Sequence, residues 1–218
     1  MKKIVLEIHR SLDAISKKSV PSARVLRRKW SKQLDDLPGR LILAVAKELS
    51  TFGAWERWMA YEIIADHQGA RGDLRSSDVV DLGRGIHSWG EVDSFACYVS
   101  GPAWRERKVS DHVIRSWAQS PNRWWRRAAL VSTVPLNNHA RGGTGDTVRT
   151  LMICRMLVHD RDDMVIKALS WALRELSKRD RRSVELFLRK YQRVLSPRVI
   201  REVHNKLETG LKNPHRSE

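Results

Sequence analysis

The segment Ile86 to Val99, IHSWGEVDSFACYV, holds the residues best suited to chemistry. As a helix it sets Trp89 and Asp93 four residues apart, one above the other on a shared face. Val92 and Ala96 flank that face, so the carboxylate borders apolar surface. A carboxylate there is costly unless a cation or a bound ligand compensates it. An ordinary helix ion pair is the alternative reading of Asp93. A second such position is Trp171, in the stretch Asp162 to Lys178. On a wheel of about 100° per residue, Val165, Leu169, Ala172 and Leu176 form the buried stripe of that stretch. Trp171 falls off the stripe, beside Lys167, Arg174 and Lys178. An aromatic among cations reads as a ligand platform, or as a tryptophan packed on a neighbouring repeat. The third block is SPNRWWRRAALV, Ser120 to Val131, where Arg123, Arg126 and Arg127 surround Trp124 and Trp125. Trp124, Arg127 and Val131 share one helix face, while Trp125, Ala128 and Ala129 share another, so at least one of the tryptophans is expected in the core. Arg127 could pair with a phosphate or with Asp93; a solvated basic face is the alternative.

The elements that position these blocks read as helices almost throughout, with no alternating strand. Lys3 to Lys17 carries Ile4, Ile8, Leu12 and Ile15 at helical spacing. Pro21 opens a helix through Trp30, and Pro38 opens another with a Leu41, Val45 and Leu49 stripe. Ala54 to His67 follows, with Trp55, Trp58, Tyr61 and Ile64 as apolar anchors. A loop holding Gly69 and Gly72 leads to Ser77, which is expected to cap Asp78 to Gly85. Glu106 to Gln119 is helical, and Ser120-Pro121 starts the next helix. Asn137 to Gly145, NNHARGGTG, is the longest irregular stretch. Thr147 to His159, Asp162 to Lys178, Arg181 to Gln192 and Pro197 to Leu211 complete the series. Trp55 to Ile64, Trp89 to Val99, Asn122 to Val134 and Asp162 to Leu173 recur at roughly 35 to 40 residues, the period of stacked helical pairs. The expected fold is therefore all-α, an α-α superhelix or HEAT-like solenoid with a basic concave DNA-binding face. It is read as one domain over 1–218, with N-terminal helices in 1–33 and a frayed tail in 211–218.

Charge names the partner. The 218 residues hold 41 Lys and Arg against 25 Asp and Glu, a formal net charge of +16. Such an excess attracts polyanions, nucleic acid first among them, with an acidic membrane surface or ribosomal RNA as lesser alternatives. Cys97 and Cys154 lie far apart in apolar contexts and read as buried thiols. No run approaches the ~18 apolar residues that span a membrane. The opening MKKIVLEIHR is interrupted by Glu7, His9 and Arg10 and lacks a signal core. The expectation is a soluble protein of a reduced, intracellular, bacterial-type cytoplasm, associated with the nucleoid while bound to DNA. Phosphate-cradling glycine loops, HExxH and Ser–His–Asp spacings are lacking, and Gly142, Gly143 and Gly145 are not followed by the GK[ST] of a P-loop.

Taken together, IHSWGEVDSFACYV, SPNRWWRRAALV and HDRDDMVIKALSWALREL resemble the AlkD-like DNA alkylation repair proteins, HEAT-like-repeat DNA glycosylases. The resemblance runs from about Leu34 to Lys212, and the combination W-x-x-x-D, W-x-x-R-x-A and K-A-x-x-W-x-L-R-E carries it. It implies that Asp93 is the catalytic aspartate, Trp89 and Trp171 the lesion-contacting tryptophans, and Arg127 a cleft arginine on the DNA backbone. Arg123, Arg126, Lys167 and Arg174 join it as expected backbone contacts. The implied activity is monofunctional removal of purines alkylated at N3 or N7, without insertion of the base into a deep pocket. No cofactor or metal is expected; the partner is alkylated double-stranded DNA, bound by a monomer. A HEAT-repeat binder of damaged, branched or abasic DNA without chemistry is the alternative. The two halves of the implied site must also converge in space.

Overall fold

The computed structural model describes residues 1–214; the last part of the expected frayed tail, 215–218, lies outside them. Among the described residues all regular structure is helical. The chain divides into two compact units, Met1–Ala103 and Trp104–Glu218.

The first unit contains α1 (Lys2–Asp13), α2 (Val20–Leu34), α3 (Gly39–Leu49), α4 (Ala54–Asp66), α5 (Gln68–Asp73), α6 (Ser76–Leu82) and α7 (Trp89–Phe95). A π turn, Ala96–Ser100, continues α7, and the short α8 (Gly101–Arg105) follows at the boundary. Two ladders organise the helices. α1 packs on α3 and α3 on α6, while α2 packs on α4 and α4 on α7. The rungs are helix pairs, of which α3 with α4 is the most extensive. Ile42, Val45, Ala46 and Leu49 of α3 meet Met59, Tyr61, Ile63 and Ile64 of α4 in a fully buried layer. Each such large side chain contributes on the order of 1.5–3 kcal/mol.

Helix identities follow the periodicity, but several details do not. Gly69 and Gly72 lie in α5, not in a loop. Gly69 has a packing reason: a Cβ on Gly39 would overlap the Gly69 carbonyl group, so α3 and α5 touch backbone to backbone. The N-cap of α6 is Arg75, one residue before the helix and two before Ser77, because Asp78 reaches back to the Arg75 N–H at 2.9 Å. That is the return half of a capping box. Of the four anchors expected on α4, only Tyr61 and Ile64 are buried. Trp55 and Trp58 are half-buried and form an edge-on pair with centroids 6.1 Å apart.

The second unit contains α9 (Asp111–Ala118), α10 (Arg123–Val131), α11 (Val134–Asn137), a 3-10 turn (His139–Arg141), α12 (Thr147–Met156), α13 (Asp163–Leu176), α14 (Arg181–Tyr191) and α15 (Pro197–Thr209). The same laddering recurs: α9 packs on α12, while α10 packs on α13 and α13 on α15. α13 is central, and its Val165, Leu169, Ala172 and Leu176 are buried, as the wheel requires. The helix expected from Glu106 begins only at Asp111, because Ser110 caps it and Arg107 adopts a positive φ of 62°. Within each unit this is the packing of an α-α superhelix, two layers of helices with successive pairs side by side. The four recurrent sequence blocks map to α4, α7, α10 and α13, second helices of successive pairs.

The glycine-rich stretch is tightly held. Asn137 closes α11 and is buried, donating from Nδ2 to Thr150 Oγ1 at 2.9 Å and accepting the Asp146 N–H at 2.9 Å. Arg179 donates to the Asn137 carbonyl at 2.9 Å and to the Gly143 carbonyl at 3.2 Å, and Arg105 donates to the Pro135 and Arg141 carbonyls. A Cβ at Gly143 would lie 2.6 Å from the Pro135 oxygen, so only glycine fits there.

Candidate functional site

In the first unit the site is the outer face of α7. Ser88 caps the helix, its Oγ accepting the Glu91 N–H at 3.4 Å and donating to Glu91 Oε2 at 2.8 Å. Glu91 is buried, and it also accepts the His87 N–H at 3.1 Å and lies 3.4 Å from Arg57 Nε. Arg57 in turn donates to the Arg84 carbonyl at 2.8 Å. This buried ionic knot fixes the start of α7, and with it Trp89 at the first helical position. Trp89 is 62% exposed, whereas Val92, Phe95 and Ala96 on the opposite side are fully buried. Asp93, one turn on, is half-buried. The acid thus borders apolar core on one side and an open tryptophan on the other, as its spacing implied.

The next partly open residue is Tyr98, five positions after Asp93, while Cys97, four positions on, is buried at 4% exposure. The open positions run 89, 93, 98. The longer step falls where bonding widens to i→i+5, the Gly101 N–H reaching the Ala96 carbonyl. Such single π turns are frequent at functional sites. Periodicity at 3.6 residues per turn points to Cys97, so sequence reasoning passes over Tyr98. Tyr98 belongs to a polar cluster: Arg24 donates to Glu62 at 2.8 Å, its pKa is raised chiefly by Glu62 and further by Tyr98, and its guanidinium lies 5.9 Å from the Trp58 ring centroid.

In the second unit, α10 and α13 carry the remaining residues. Asn122 caps α10 by accepting the Trp124 N–H at 2.8 Å, and Asp162 caps α13 by accepting the Met164 N–H at 2.8 Å. Trp171 is half-buried, off the buried stripe of α13. Arg127 is buried and donates from Nη1 to the Met164 carbonyl at 2.6 Å. Neither Trp124 nor Trp125 is a core residue; both are half-buried, and Trp125 packs on Trp117 with centroids 4.8 Å apart. The buried residues of that helix are Arg127, Ala128, Ala129, Leu130 and Val131.

The other basic residues have protein partners. Arg126 pairs with Asp160 at 2.6 Å and donates to the Pro121 carbonyl at 2.8 Å. Arg123 stacks over Trp124 at 4.8 Å and pairs with Asp162 at 3.4 Å. Lys167 pairs with Asp163 at 2.7 Å. Arg174 donates to Ser170 Oγ at 3.2 Å, and its burial lowers its pKa against the opposing pull of Glu202. The Arg123 and Lys167 side chains remain about half exposed, whereas Arg126 and Arg174 are mostly covered and tie helices together.

Cys97 and Cys154 are free and buried, as their contexts implied, and burial pushes the Cys154 thiol well up. His9, Asp13 and Glu56 bring three potential metal-ligand atoms within 4.8 Å of one another. The Lys18 ammonium sits 2.7 Å from Asp13, so a cation already serves this cluster. Among the described residues no helix is long and apolar enough to cross a membrane.

No curated protein matches the chain. A family model described as DNA alkylation repair enzyme matches residues 18–207, nearly the whole described chain. The chain belongs to the DNA alkylation repair enzyme family.

Proposed function

We propose that the protein is a monofunctional DNA glycosylase that hydrolyses the N-glycosidic bond of cationic N3- or N7-alkylpurines. Membership of the family supports DNA as the partner and alkylation repair as the role. The observation that carries the reading is Trp89, exposed at the start of α7, with the half-buried Asp93 one turn below it.

An alkylated purine bears a positive charge and is already a good leaving group, so no general acid is needed. As the bond between C1′ and the purine nitrogen breaks, positive charge passes to the sugar. The Asp93 carboxylate stabilises that charge and orients the water whose oxygen bonds to C1′. One proton of that water leaves to Asp93 or to solvent, and the neutral purine departs. Trp89 and Trp171 offer ring faces that favour a cationic base by about 0.5–2 kcal/mol each. Arg127 supports the backbone, with Arg123 and Lys167 adding phosphate contacts. The chain's surplus of cations supplies the general attraction for DNA.

The test is incubation with methylated genomic DNA followed by identification of free purines, run beside Asp93→Asn. Release of 3- or 7-methylpurine by the natural protein is expected. Asp93→Asn is expected to abolish release while duplex affinity stays within a few fold. Salt-sensitive binding to damaged or branched DNA with no base released would overturn the enzymatic reading in favour of a pure binder.

A further inference from the structure

The second unit holds a cavity built by the α14–α15 turn against the start of α13, with no residue of α10 in its lining. Its volume is about 600 Å3, within the roughly 300–1,000 Å3 of small-molecule sites. Arg161, Arg193 and Arg201 line it, and no Asp or Glu does. Among the described residues none of the three makes an ion pair. Arg161 donates only to main-chain carbonyls, that of Val194 at 3.1 Å among them. The neighbouring carboxylates are engaged elsewhere: Asp160 by Arg126, Asp162 by Arg123, and Asp163 by Lys167 and Arg198. Three exposed guanidinium groups thus line one concavity without a carboxylate partner, and their planar forks match phosphate oxygens.

The rest of the lining is of another kind. Ile166, Val194 and Ile200 form a half-buried aliphatic floor, and Gln192 adds one amide with both donor and acceptor. The first turn of α15 also opens here. Its N-cap Ser196 makes no side-chain capping bond; Pro197 has no N–H and the Val199 N–H bonds the Ser196 carbonyl at 2.9 Å, which leaves the Arg198 N–H for an anion. An anion alone would not use the floor, and an apolar ligand would not use the arginines.

We propose that this cavity binds a nucleoside phosphate, its base lying on the aliphatic floor and its phosphate held by Arg193, Arg201 and Arg161. An unpaired nucleotide at a DNA strand end and a free nucleotide both carry this chemistry. None of its lining residues is among those assigned to base release, and the proposal does not depend on that assignment.

Binding is tested on the full chain by calorimetric titration with dAMP, deoxyadenosine and inorganic phosphate. A duplex with a three-nucleotide 3′ overhang and its blunt counterpart serve as competitors. Saturable dAMP binding is expected, at least about tenfold tighter than either fragment, as loss of one charge-assisted contact predicts. Arg193→Gln/Arg201→Gln, two exposed positions, is expected to weaken dAMP by about tenfold or more at unchanged Tm. Ser196→Asp separates binding from stability. A negative charge at the N-terminus of α15 complements the helix dipole, so this variant is expected to melt higher yet bind dAMP several-fold more weakly. Displacement of dAMP by the overhang alone identifies a strand end as the source, and displacement by neither duplex identifies a free nucleotide. Absence of saturable dAMP binding, or binding that both variants leave unchanged, overturns the proposal.

Discussion

Arg127 on α10 donates from Nη1 to the carbonyl of Met164 in the first turn of α13, at 2.6 Å. The guanidinium is buried, so this bond holds two adjacent helices of one layer together. It anchors the same helix that carries Trp171, about two turns beyond Met164. A residue expected to face DNA is therefore also a structural tie.

Arg127→Ala is accordingly expected to lower stability by about 1–3 kcal/mol, the cost of losing a buried charge-assisted bond. It should reduce base release as well. Arg127→Lys keeps the charge but not the planar fork, and should fall between. Denaturant unfolding beside base-release kinetics separates the two effects; unchanged stability in the alanine variant would contradict the structural tie.

Trp89 gives the opposite expectation. Because the ring is 62% exposed, Trp89→Ala should change stability by less than about 0.5 kcal/mol. Loss of one cation–π partner should slow release of a methylated purine between about twofold and thirtyfold. Single-turnover kinetics measure the second quantity and thermal melts the first.

Asp78 makes a pH prediction. Burial opposes its ionisation, but hydrogen bonds from Arg40 and Lys47, with the Arg75 N–H, overcome that and hold its carboxyl at about 2, against an ordinary 3.8. The folded state therefore binds a proton less readily than the unfolded chain. The resulting stabilisation, about 2 kcal/mol, is fully present above pH ~4 and is lost as the pH falls from ~4 towards ~2. Asp78→Asn should remove that portion of the pH dependence, so acid unfolding curves of the two proteins should converge near pH ~2. Curves that stay parallel through this window would contradict it.

Helix identity was legible in the sequence because long amphipathic runs such as α13 place their buried residues by simple periodicity. The repeated blocks were legible for the same reason, since the second helix of each pair has the same burial to achieve. What stayed hidden depends on partners far along the chain. Gly69 reads as a loop residue until Gly39, thirty positions earlier, presses against it. Arg126 reads as a free cation until Asp160 meets it. Of the candidate site, the spacing implied Trp89 and Asp93 on one face, and Trp171 off its stripe. Tyr98 was hidden because one widened turn breaks the period that would have pointed to it.

That turn also changes how relatives must be compared. Along this face the positions Trp89, Asp93 and Tyr98 are spaced four and then five, so a relative with regular α-helical bonding here would need one residue fewer to present the same surface. An alignment made by residue similarity alone would set its fourth position opposite Cys97, a buried thiol. The gap belongs inside Ala96–Ser100, and only with it there does Tyr98 stand opposite its true counterpart.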